Sequence, residues 1–107
     1  MTTILVVDDE YLIADILGFA LEDEGFMVVT ASNGRKALDV LERERPSLII
    51  TDFMMPVMDG QQLAEAVRAL PSVNHLPIIL MSGAQAHIGM ERSDLFDAVL
   101  ALSLIHI

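Results

Sequence analysis

The chain has 107 residues, no cysteine, an apolar fraction of 53% and a formal net charge of −10 at pH 7. Length and apolar content suit one folded domain with a single core and exclude a disordered chain. The acidic balance argues against direct nucleic-acid binding, which needs clustered Lys and Arg, and the missing thiols exclude disulfides, thiolate metal sites and a Cys nucleophile. No apolar run reaches about 18 residues and no charged leader opens the chain, so neither a membrane span nor a signal peptide is expected. The expected location is the cytoplasm.

Ile4 to Val7 is a continuous apolar run that reads as a buried strand, ended by Asp8-Asp9-Glu10. From Tyr11 to Glu24 the period turns helical. Leu12, Ile13, Ile16, Leu17, Ala20 and Leu21 predict one broad buried stripe, Glu22 to Glu24 a solvated end, and Gly25 the exit from the helix. Phe26 to Thr30 reads as a second strand. Ser32-Asn33-Gly34 supplies turn and N-cap chemistry for a helix with Ala37, Leu38, Val40 and Leu41 inward, stopped by Pro46.

Leu48 to Thr51 is the third strand, and it stops abruptly at Asp52. Pro56 delays the next helix until Asp59, which stands with Gln62 at capping-box spacing ahead of Leu63, Val67 and Leu70. Ile78 to Met81 is a fourth strand ended by Ser82-Gly83, Ala84 to Met90 a weak helix broken by Gly89, and Ala98 to Ala101 a fifth strand. Strands that alternate with helices and are apolar on both faces predict an α/β fold, a parallel sheet with helices on each side and right-handed crossovers.

In such a sheet all strand carboxyl ends share one edge. Asp8 and Asp9 follow strand one, Asp52 ends strand three and Ser82 ends strand four. Singly, each has an ordinary reading as a helix-start acid, a turn residue or a cap hydroxyl. Together they point to a cleft in which repelling carboxylates need a hard cation, with Mg²⁺ the natural choice. An Asp beside such a metal is a candidate phosphoryl-accepting nucleophile, steadied by the metal and by the Ser82 hydroxyl.

The motifs Ile-Leu-Val-Val-Asp-Asp-Glu at 4–10, Asp-Phe-Met-Met-Pro-Val-Met-Asp-Gly at 52–60 and Pro-Ile-Ile-Leu-Met-Ser-Gly-Ala at 77–84 resemble the receiver domain of two-component response regulators. The resemblance implies a flavodoxin-like doubly wound parallel sheet of five strands, order 2-1-3-4-5. By it, Asp52 is the phosphoacceptor, Asp9 ligates Mg²⁺ with Asp8 beside it through water, and the Met54 backbone carbonyl is the third protein ligand. Ser82 is the switch hydroxyl. The implied donor is a phosphohistidine on a histidine kinase or phosphotransfer protein. Such a module is not a conventional enzyme; at most it assists its own phosphorylation and dephosphorylation.

Departures from that pattern also follow. The family carries a Lys just after strand five, where this chain has Leu102, and an aromatic three positions earlier, where it has Val99. The receiver is therefore expected over residues 1–101, without its last helix, and 102–107 as a tail that does not match. An uncovered sheet face predicts marginal stability or self-association, and the missing Lys predicts impaired phosphorylation. A degenerate receiver acting as an interaction module independent of phosphorylation stays open. An enzyme of the haloacid-dehalogenase type would need an acid at position 54, which is Met. Met54 and Ala84 are apolar and cannot orient an attacking water, so slow self-hydrolysis is expected. His75, His87 and His106 lack metal-ligand spacing, and Arg68 and Arg92 read as surface charge.

Overall fold

The computed structural model describes residues 2–82 and 94–101, with 82 and 99–101 at the level of the backbone. The elements run β1 (Thr3–Val7), α1 (Tyr11–Asp23), β2 (Met27–Ala31), α2 (Gly34–Glu44), β3 (Leu48–Asp52), α3 (Gly60–Ala69), β4 (Ile78–Ser82) and β5 (Ala98–Ala101). The weak helix expected over 84–90 and the tail 102–107 lie outside the described residues.

All neighbouring strands pair in parallel, in the order β2-β1-β3-β4-β5. The order reverses between β1 and β3. Crossovers of one hand must then place α1 on one face of the sheet and α2 and α3 on the other, which is how the helices pack. Leu5, Val7, Ile49, Ile78 and Leu80 meet Ala37, Val40 and Leu41 of α2 and Leu63, Ala64 and Val67 of α3. On the opposite face, Ile4, Val6, Ile50 and Met81 meet Ala14 of α1 in a smaller cluster.

Local chemistry accounts for the element ends. α1 closes in a Schellman arrangement, with Gly25 N–H donating to Glu22 O and Phe26 N–H to Leu21 O. Asn33 caps α2 by accepting from Lys36 N–H at 2.9 Å. Asp59 and Gln62 form the expected capping box at the start of α3.

Three expectations need correction. The buried residues of α1 are Ala14 and Gly18, with Ile13, Leu17 and Leu21 half-buried, whereas Leu12, Ile16 and Ala20 of the expected stripe face solvent. Leu70 is exposed at the C-cap of α3 instead of extending its buried face. Arg68 is no free surface charge. Its guanidinium donates to the carbonyls of Asn74, Leu76 and Leu95 and pairs with Asp97 Oδ2 at 2.9 Å, while the same Asp97 oxygen accepts from Ile78 N–H. Arg68 thereby ties the end of α3 to the starts of β4 and β5.

Candidate phosphoacceptor and metal site

The register of β1 on β3 pairs Val7 with Thr51, so the next residues, Asp8 and Asp52, leave adjacent strands side by side. They stand where the strand order reverses, the crevice in which open α/β sheets take ligands. Asp9 joins them. Carboxylate oxygens of Asp8, Asp9 and Asp52 all lie within 4.8 Å of one another.

Each carboxylate is held differently. Asp8 is buried; its Oδ1 accepts from Glu10 N–H at 2.8 Å, and its Oδ2 has no hydrogen-bond partner among the described residues. Asp52 is half-buried, and its Oδ1 accepts from Phe53 N–H at 2.9 Å. Asp9 is exposed. Burial pushes the Asp8 carboxyl up to about 6, against the opposing pull of the Glu10 amide and with the help of the Asp52, Asp9 and Glu10 charges. Burial, with Asp9 and Glu10 nearby, also raises Asp52 above the usual carboxylate range, opposed by the Phe53 amide. An orphaned buried oxygen among converging hard oxygens is what a divalent cation relieves. The donor set fits one.

The loop after Asp52 is anchored at several points. Phe53 O accepts from Gly60 N–H at 2.8 Å, and a Cβ on Gly60 would run into the Asp52 carbonyl. Met58 N–H donates to Pro56 O at 2.7 Å around Val57, a γ-turn with φ of 70° at a β-branched, exposed residue. Met58 O accepts from Gly34 N–H at the start of α2. Met54 lies exposed between these anchors. Ser82 ends β4 one step beyond Met81, the partner of Asp52 in the register. Its side chain, and residues Ala84 and Leu102, are outside the described set; Val99 is described by its backbone alone.

Comparison with known proteins identifies the family of this fold. The model of the response regulator receiver domain matches residues 4–99. The chain belongs to the response regulator receiver domain family. Among its relatives, the receiver is 38% identical over 101 residues to the alkaline phosphatase synthesis transcriptional regulatory protein PhoP of Bacillus subtilis, covering 94% of this chain and 38% of that protein. It is 49% identical over 79 residues to an uncharacterized 14.6 kDa protein of Leptolyngbya boryana, 74% of this chain and 60% of the relative. The chain thus spans less than two thirds of the length of these curated relatives. Among solved structures, it superposes with a TM-score of 0.83 and 33% identity on the response regulator TrrA of Thermotoga maritima in complex with Mg²⁺ and BeF, covering 94% of this chain and 86% of that one. The flavodoxin-like order of the strands is that of a receiver of two-component systems.

Asp8, Asp9 and Asp52, the three carboxylates the sequence points to, come together in the structure. The Gly34–Met58 contact and the strained turn at Val57 have no motif in the sequence.

Proposed function

We propose that this receiver takes a phosphoryl group from the phosphohistidine of a histidine kinase or phosphotransfer protein onto Asp52, with Mg²⁺ held by Asp9, Asp52 and the Met54 carbonyl and Asp8 beside it. The observation that carries the reading is the carboxylate cluster with its unpartnered buried Asp8 oxygen. A bound cation supplies charge neutralisation for the transferring phosphoryl oxygens. An Asp52 oxygen forms the new O–P bond as the N–P bond of the donor breaks, and the leaving imidazole nitrogen takes a proton. Phe53 N–H, bonded to Asp52 Oδ1, orients the carboxylate for this attack. Ser82 at the tip of β4 is the hydroxyl that would follow the phosphoryl oxygens.

The test is phosphorylation by a small-molecule phosphodonor with and without Mg²⁺, read by intact mass. The expected result is a single Mg²⁺-dependent adduct that Asp52→Asn abolishes. An adduct retained in that variant, or none at any Mg²⁺ concentration, would refute the reading; the latter would favour an interaction module that works without phosphorylation.

A further inference from the structure

The loop between Asp52 and Asp59 must hold the Met54 carbonyl still if that carbonyl is to serve a cation, and its far end rests on α2. Gly34 is the first residue of α2 and is buried. Its N–H, one of the helix-start amides without an intrahelical acceptor, donates to Met58 O at 3.2 Å. A Cβ placed on Gly34 would come within 2.7 Å of Met58 Cγ, 2.9 Å of Met58 O and 3.0 Å of Met58 Cβ. Met58 O is a backbone atom and Met58 Cβ is bonded directly to the backbone, so neither can swing aside and the loop would have to move. It is poorly placed to absorb the shift: Phe53 is fixed by Gly60, and Met58 is already closed onto Pro56 through the strained Val57 turn.

We propose that Gly34 is a positioning residue for the metal site. By admitting Met58 against the start of α2 and donating its amide to the Met58 carbonyl, it sets where the loop carries Met54. The proposal rests on the metal-assisted reading above. Asn33 on its other side caps α2 by itself, so the cost of changing Gly34 falls on the loop and not on helix initiation.

Mg²⁺ titration by calorimetry tests this on the whole chain. Gly34→Ala is expected to weaken Mg²⁺ binding about tenfold, the scale of outer-shell effects on metal sites. Met58→Ala in the same chain, which removes the nearest clashing atom, should recover part of the loss. Val40→Ala, a cavity two turns along the same helix, should lower stability and leave Mg²⁺ affinity unchanged. Unchanged affinity in Gly34→Ala, or an equal loss in Val40→Ala, would overturn the proposal. Should Gly34→Ala not fold, the wild-type amide resonance of Gly34 decides: it should shift in step with Mg²⁺ saturation, and a resonance that stays fixed refutes the coupling. Failure of the wild type itself to bind Mg²⁺ would sink the metal reading and this proposal with it. A wild type that binds alongside an equally tight Gly34→Ala sinks only the latter.

Discussion

Replacing Asp8 with Asn should make the metal-free protein more stable. In the folded chain the Asp8 carboxyl is raised from the ordinary 3.8 to about 6. A difference of that size amounts to about 3 kcal/mol held against the folded state whenever the group is ionised in both states. The sign follows from the direction of the shift. Well above pH 6 the penalty is complete. As pH falls from 6 towards 4 the folded protein takes up a proton that the unfolded chain does not, and the penalty fades. Asn keeps the acceptor for Glu10 N–H and puts a neutral amide where Oδ2 now stands without a partner. Urea unfolding at pH 8 with a chelator should therefore show Asp8→Asn ahead by up to about 3 kcal/mol. The lead should shrink at pH 4. Mg²⁺ at about a hundred times its dissociation constant adds about 2.7 kcal/mol to any chain that binds it, so the lead narrows by as much as Asp8→Asn weakens that binding. A variant no more stable than wild type at pH 8 without metal, or one whose lead persists undiminished at pH 4, would refute the reasoning.

Arg68→Ala should cost about 3 kcal/mol in denaturant unfolding, since it strips partners from three carbonyls and from Asp97 together; Arg68→Lys should recover only part, and a loss below about 0.5 kcal/mol would return Arg68 to the status of surface charge. Val57→Gly should raise stability by about 1 kcal/mol by relieving the positive φ, net of the entropy glycine loses on folding, and a drop in stability would contradict the strain. Once phosphorylated, the protein should lose its phosphoryl group slowly because Met54 cannot orient water; a half-life of seconds would exclude this. Tyr11, Leu12, Ile16 and Phe19 on α1 leave an exposed apolar surface that should drive self-association in light scattering, whereas a sharp monomer at all concentrations would argue otherwise.

What could be read in advance was whatever local chemistry decides. The bounds of β5, the capping box at Asp59 and Gln62 and the exit at Gly25 are set within a few residues of chain, and the structure has them as expected. The carboxylate cluster was legible too, because a parallel sheet sends every strand end to one edge. The buried face of α1 was not. Leu, Ile and Ala surround that helix, and packing selects Ala14 and Gly18, where Gly18 lies against Val28 of β2. Close approach favours small residues, and hydrophobicity does not register that choice. Arg68 escaped for a different reason: its ionic partner, Asp97, lies 29 residues away in the chain.

The gap between Asp8 and Asp52 is set by the sheet itself. These two residues leave neighbouring, hydrogen-bonded strands at matched height, so their separation is set by the spacing of strands in any sheet, about 4.8 Å. A gauge cut into the backbone does not drift when side chains around it are exchanged. Loops and helix surfaces can be rewritten for a new conversation while the width of the jaws stays the same.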